Sequence, residues 1–409
     1  MTERKLSLKR LWVLMVTAFV DMVGFALLLP LLPLYAQRFG ASATVIGGLM
    51  ASFALAQMVS APFWGRLSDR IGRRPVILAS QGLSAAAFLI FAFADTVALL
   101  LVCRLLQGVG GGNMSVLSAY VSDSVGPEER AKGLGWITAC TSAGVMIGPA
   151  IGSLAISAGL GHESPGLIAA ALCVLNLLFA WSWLPESTTE ATRGAPRSPK
   201  RIRHQIQNVL HHPAQPVSSL IWIYASAMMA FFAMNGILAL YLSDRFDIHE
   251  GNVGWFYVAV GAVSVVMRAA VLGALVRRFG EVRVLRFGAL LLGLGMTLGP
   301  FATTPSRFLP LALLVPAGTA LLFPSTTSLI SRYADPREVG QTLGVQQAFG
   351  GMSRLLGPIW GGAVFQHIGP REPFWLGGSL VLLTALFALR LHPGEAPKRE
   401  AGSKRYQRA

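Results

Sequence analysis

Twelve apolar runs, each long enough to cross a lipid bilayer, recur along this chain of 409 residues and leave few folds open to it. About 20 helical residues span a hydrocarbon core about 30 Å thick. Runs of that kind fall at 11–36, 43–65, 76–94, 97–123, 134–158 and 166–184, then at 217–243, 252–275, 285–303, 308–332, 341–367 and 373–391. A bilayer offers backbone groups no water, so segments this long must be helices. The fold class read from this is an all-α polytopic membrane protein with twelve transmembrane helices. Composition agrees: 13% of residues are charged, whereas a soluble domain carries about 25%.

The net charge of +15 would suit a nucleic-acid binder, but its distribution excludes that partner. Of 34 Lys and Arg, 27 fall in loops and tails on one side of the predicted topology. Arg38, Arg245, Arg307 and Arg371 fall on the other, and Arg104, Arg268 and Arg354 lie within spans. Such asymmetry marks the cytoplasmic side, so both termini are expected in the cytoplasm. The first apolar run is too long for a signal peptide and contains Asp21, so it reads as an uncleaved helix. Cys103, Cys140 and Cys173 are isolated in apolar runs, with neither disulfide nor metal spacing.

Four segments follow: a six-helix bundle over 1–184, a cytoplasmic linker over 185–216, a second six-helix bundle over 217–392, and a basic tail over 393–409. Within the linker, a basic amphipathic helix near 200–212 would lie on anionic lipid, or the stretch is a solvated spacer. The bundles repeat one another. Gly65–Arg74 (GRLSDRIGRR) matches Gly273–Val282 (GALVRRFGEV), with glycines seven apart in both. The Gly-Pro of GVMIGPAIGS recurs in GMSRLLGPIWGG; Gly72 to Pro149 is 77 positions and Gly280 to Pro358 is 78. Duplicated membrane halves with a site at their junction are the construction of secondary transporters.

Three motifs carry chemistry. In the loop after the second span, Gly65, Asp69, Arg70, Gly72, Arg73 and Arg74 combine tight-turn glycines with an acid and arginines that can latch one conformation. In the fourth span, Arg104, Gln107, Gly108, Gly111, Ser115 and Ser118 share a stripe that must face protein or a watery cavity. In the fifth, Gly144, Gly148, Pro149 and Gly152 form a small-residue packing seam with a kink. No phosphate-binding loop is present, so ATP-driven transport by this chain is disfavoured.

On these motifs the chain resembles the major facilitator superfamily, and within it the twelve-helix drug/proton antiporters of the tetracycline-efflux type. The resemblance rests on the signature loop, on Arg104 and Gly108, and on the fifth-span motif that characterises antiporters, with Ser153 in place of its last glycine. Val20–Tyr35 (VDMVGFALLLPLLPLY) and Leu238–Phe246 (LALYLSDRF) add to it. It implies two pseudo-symmetric bundles, a monomer, residence in the inner (plasma) membrane, and export of a small drug-like molecule or metabolite by alternating access. A proton gradient would supply the energy, with no cofactor. Asp123, at the end of the fourth span, would join Asp69 and Arg73 as one gating cluster. The chain lacks the eighth-span histidine and second-half acids of the tetracycline pumps, so the resemblance implies the class rather than tetracycline itself.

Asp21 is the candidate proton carrier. It lies ten residues into the first helix, about 15 Å deep, where an ionised carboxylate must be paired or protonated. Arg104 enters from the opposite side to a similar depth, and contact between the two is expected in one transport state. Candidate cavity residues are Phe25, Tyr35, Gln107, Ser115, Asn235, Tyr257, Arg268, Gln347 and Arg354. Arginines there favour anionic or carbonyl-rich ligands through their fork geometry. The alternative reading, a carrier of anionic metabolites, gains if Arg268 and Arg354 both face the cavity; a non-transporting receptor or scaffold is a third.

Overall fold

The computed structural model describes residues 8–111, 114–124, 127–186, 200–335 and 338–389; the basic tail and most of the linker lie outside them. Among the described residues every regular element is helical, and bridging short breaks gives twelve long helices. The first span is two helices, α1 (Leu8–Leu28) and α2 (Leu31–Arg38), parted at Pro30, which lacks a backbone donor. Helices α3 (Ala43–Ile71) and α4 (Arg73–Ala92) turn on Gly72 alone, whose φ of 104° favours glycine. The first bundle continues through α5 (Val97–Gly111), α6 (Met114–Ser124), α7 (Pro127–Ser157) and α8 (Ser164–Trp183).

After the linker helix α9 (Lys200–His211) come α10 (Pro216–Phe246) and α11 (Val253–Val266). A π-helical turn, Met267–Val271, joins α11 to α12 (Leu272–Phe279). Gly280, at φ 80°, turns the chain into α13 (Glu281–Leu298), so the repeat extends to the backbone at this turn. Then follow α14 (Pro305–Ala312), α15 (Leu314–Tyr333), α16 (Val339–His367) and α17 (Glu372–Leu389). Several helices outrun the apolar spans at their polar ends, α3 reaching Ile71 and α7 beginning at Pro127. Hydropathy stops where charges begin, whereas the helix continues into the polar layer.

Eleven of the long helices are apolar enough to cross a membrane. The other, α16, has the length but carries Gln341, Gln346, Gln347 and Arg354, a composition suited to a helix shielded by neighbours. The linker helix docks on the second bundle: Val209 is buried, its carbonyl accepts from Trp222 Nε1 at 3.2 Å, and Ser219 Oγ donates to the Pro213 carbonyl at 2.8 Å.

The apolar core has three parts. One spans both bundles at the end opposite the signature loop and includes Leu31, Tyr35, Ile46, Leu240 and Tyr241. The other two sit at the loop-bearing end, hereafter the basic end, one within each bundle: Val13, Trp64, Ile77 and Tyr120 in the first, Leu220, Leu285, Ile330 and Val345 in the second. The bundles thus share a core at one end and have separate cores at the other.

The shared end closes on two pseudo-symmetric crossings. Helix α7 packs on α11, where a Cβ on Gly254 would strike the Pro149 carbonyl and the Ser153 side chain. Helix α3 packs on α16, where a Cβ on Gly47 would strike the Pro358 carbonyl. The same Gly-Pro repeat seen in the sequence therefore forms both seams between the bundles. Close backbone approach at small residues is how membrane helices associate.

Candidate functional site

Between the bundles lies a cavity of about 480 Å³. The shared core closes one end of it, and at the basic end the two bundles have separate cores. Its walls are mostly aromatic and aliphatic: Met22, Phe25 and Leu29 from α1, Met50 and Phe53 from α3, Phe231 and Phe232 from α10, Phe323 from α15. Polar groups interrupt them at Gln57, Thr141, Ser142, Asn235, Tyr257 and Ser264. Arg104, Arg268 and Arg354 also line the cavity, and no Asp or Glu is among the lining residues. An apolar vault with a few convergent polar groups is the general form of a small-molecule site.

Arg104 is 2% exposed. Its Nη1 donates to Gln107 Oε1 at 3.0 Å, and its guanidinium lies 5.9 Å from the Phe25 ring centre and 5.0 Å from that of Phe53. Such cation–π contacts partly replace the hydration the group has lost. The Nε–H has no partner among the described residues, nor has the buried Tyr257 hydroxyl, so the site presents unmade hydrogen bonds to a ligand. Arg268 stands in the π turn, and such turns recur at functional sites. Arg354 lies one turn past Gly350, beside which the Tyr224 ring fills the space.

Asp21 lies behind this wall. It accepts a hydrogen bond from Gln81 Nε2 and lines a side pocket of about 40 Å³ with Gln107, Gln57 and Ser84. The contact expected between Asp21 and Arg104 is not formed in this conformation, because Phe25 and Phe53 stand between the cavity and the side pocket. Equal depth on two helices does not ensure equal facing.

Three expected cavity residues lie elsewhere, Gln107 in the side pocket and the other two farther off. Tyr35 is at the shared core, where its hydroxyl donates to the His162 carbonyl at 2.7 Å and its ring stacks on Phe91. Gln347 is exposed and outside the lining. It lies two turns, about 10 Å, nearer the basic end than Arg354; its buried neighbour Gln346 donates to Thr327 Oγ1. The side chains of Ser115 and Asp123 are outside the described residues.

At the signature loop, Asp69 Oδ1 pairs with Arg73 Nη1 at 2.6 Å, and the same nitrogen donates to Ser68 Oγ. Arg70 is exposed, and Arg74 Nη2 donates to the Trp181 carbonyl. The residue that sequence reasoning missed is Glu186. Its carboxylate accepts from the backbone N–H groups of Arg73 at 2.8 Å and Arg74 at 3.1 Å, capping the N-terminus of α4, where negative charge is favoured. The available signal was an acid just past the sixth span, with a helix start that has no side-chain cap of its own. Gly65 has open space where a Cβ would stand, so its motif position is not a packing requirement in this conformation.

In α7, Cβ atoms on Gly144, Gly148 and Gly152 would meet α1 at Phe19, Val23 and Leu27, the last also meeting Leu31 at the start of α2. Pro149 lines the cavity. Ser153, the departure from the motif, is buried and accepts from the Gly254 N–H at 2.8 Å, tying the two bundles together. Beyond it, Arg38 grips Glu250 bidentately, at 2.9 Å through Nε and 3.1 Å through Nη2. Gln37 reaches toward Asp244 across the same junction.

The Arg38–Glu250 pair must break for the shared end to open. Because Glu250 is buried, losing its partner leaves a charge unsatisfied, at a cost on the order of 2 kcal/mol. Arg38→Gln is therefore expected to shift the molecule away from the closed end and slow turnover about tenfold. Arg38→Glu with Glu250→Arg should restore part of that loss. Transport rates of the single and exchanged variants test this; equal deficits in both would refute it.

Comparison with known proteins agrees with this architecture. The family model of the Major Facilitator Superfamily matches residues 14–271 and 220–407. The class G tetracycline resistance protein of Vibrio anguillarum is 30% identical, over 91% of this chain and 94% of its own length. Multidrug resistance protein 2 of Bacillus subtilis is 27% identical, over 91% and 92%. Among solved structures, the human organic anion transporter MFSD10 (TETRAN) superposes with a TM-score of 0.69 at 25% identity, over 93% of this chain and 99% of that one.

Proposed function

Because the chain belongs to the major facilitator superfamily, and is thus a multi-pass membrane transporter of small molecules rather than an enzyme, we propose that it is a proton-coupled exporter. Its basic end faces the cytoplasm, both termini included, in the inner (plasma) membrane. A single chain alternates between the inward-open form described above and an outward-open form, exchanging substrate for protons without a cofactor. The observation that carries this reading is the juxtaposition of a cavity able to hold a drug-sized molecule with a membrane-embedded carboxylate, Asp21, in a pocket behind its wall. An ionised carboxylate is costly at that depth, which suits a group that takes up and releases a proton.

The substrate suited to the cavity is aromatic or aliphatic in body and rich in hydrogen-bond acceptors. Three arginines and the Tyr257 hydroxyl offer donors, whereas a cationic head would meet no lining carboxylate. A second reading, a carrier of anionic metabolites, is favoured by Arg268 and Arg354 both lining the cavity. The two readings differ in sign. A fixed negative charge near Arg104 draws a proton onto Asp21, so anion and proton travel together. An uncharged acceptor leaves room for exchange. The test is uptake into inverted vesicles with an imposed pH gradient, acid inside, using tetracycline, carboxyfluorescein and ethidium. Export predicts gradient-driven tetracycline uptake. Carboxyfluorescein moving with the proton supports the second reading, and preference for ethidium contradicts both.

A further inference from the structure

The side pocket and the central cavity are two compartments with one shared wall. Phe25 and Phe53, their ring centres 4.8 Å apart, line both. The side pocket, at about 40 Å³, exceeds the ~10–15 Å³ that one water requires. Gln107 is 4% exposed and lines this pocket, and its side chain also holds Arg104. A guanidinium only donates, so the amide oxygen must face it, and the orientation of the amide follows from chemistry. Gln107 Nε2 is therefore turned away from Arg104; it is buried and has no partner among the described residues. A buried donor left unmade is costly, and the pocket offers space for the partner it lacks.

We propose that the side pocket binds a water between Gln107 Nε2 and the Asp21 carboxyl, and that Gln107 is the positioning residue through which substrate displaces the proton. This rests on the reading of Asp21 as proton carrier. In the empty cavity Arg104 holds Gln107 by its oxygen. A substrate carbonyl that takes Arg104 Nη1 frees that oxygen, and the amide moves so that its N–H groups, bonded until then to the pocket water, donate to Asp21 directly. Hydrogen bonds to a carboxylate favour its ionised form. The O–H bond of Asp21 breaks, the electron pair stays on the carboxylate, and the proton leaves on the pocket water. When substrate departs, Arg104 recaptures Gln107 and Asp21 takes a proton again. Among the described residues, the groups on the neighbouring helices that face Asp21 are Gln81 and Ser84 on α4, Cys173 on α8, Gln57 on α3, and Gln107 with Arg104 behind it on α5; the α7 glycines meet other residues of α1. Of these, Cys173 and Arg104 are titratable.

The test uses the full chain in proteoliposomes, with tetracycline as probe and the ratio of transport with and without a pH gradient as readout. Gln107→Met removes both functions of the amide. Gln107→Glu keeps an acceptor for Arg104 but not the N–H donor. Both are expected to lower that ratio about tenfold and to flatten the pH profile. If Gln107→Glu keeps the wild-type ratio and profile, Gln107 only braces Arg104; the proposal fails while the exporter reading stands. A wild-type chain with no gradient response removes the exporter reading itself. Unmodified protein supplies a second measurement, independent of variant folding. Its tetracycline-induced infrared difference spectrum should lose a protonated carboxyl band, which the Asp21→Asn protein never shows; a gain of that band overturns the proposal.

Discussion

With Asp21 replaced by asparagine, the chain is expected to fold and reach the membrane, yet to show no pH-gradient-driven accumulation of substrate. The side chain is nearly isosteric, can still accept from Gln81 Nε2, and is less costly to bury than a carboxylate. What it loses is the ability to carry a proton. Energy from the gradient enters only through a group whose protonation differs between the two states of the cycle. Downhill movement of substrate should therefore persist as its concentrative transport disappears. The comparison to make is uptake by inverted vesicles before and after the gradient is collapsed. Asp21→Asn vesicles should match the collapsed wild type under both conditions, and wild-type accumulation by the variant would refute the role assigned to Asp21.

The second large effect concerns the α1–α7 seam. A Cβ on Gly148 would stand 2.6 Å from the Val23 carbonyl oxygen, 2.8 Å from Leu27 N and 2.9 Å from Ala26 Cβ. Two of these neighbours are backbone, so they cannot step aside as a flexible side chain would. Gly148→Leu should cost about 3 kcal/mol or more, at the severe end of overpacking. Gly65→Ala, with nothing within 4 Å of its Cβ, should fall within about 0.5 kcal/mol of wild type. Thermal unfolding in detergent, with the monodisperse fraction after purification, reads both. Equal stability of the two variants would show that the seam is looser than described.

Much of this architecture was legible before any coordinates. Length and hydropathy reveal the spans because the bilayer forbids alternatives, and the Gly72/Gly280 and Pro149/Pro358 spacings reveal the repeat. What hydropathy cannot see is where a helix continues past its apolar part, as α3 and α7 do. The site was legible in part. Helical phase put Arg104 on an inward-facing stripe, but it left open whether Arg268 and Arg354 face the cavity and could not say that Phe25 and Phe53 would screen Asp21 from Arg104. That depends on how α1 and α3 are turned against each other. Glu186 and Glu250 lie just beyond spans, where an acid reads as an ordinary solvated residue until its distant partner is known. The second half holds a similar case. Asp69 is matched in sequence by Arg277, yet Glu281, eight positions after Gly273, pairs with Arg332 at 3.0 Å and supplies the acid there.

The central claim is that substrate and proton exchange through Asp21, and it is tested most directly by following both at once. Reconstituted protein, held at zero membrane potential, would be given a tetracycline gradient while a trapped dye reports internal pH. Tetracycline leaving the vesicles should bring protons in, and Asp21→Asn should abolish that proton movement while tetracycline still leaks downhill. Protons leaving alongside tetracycline, or coupled movement surviving in Asp21→Asn, would contradict the account.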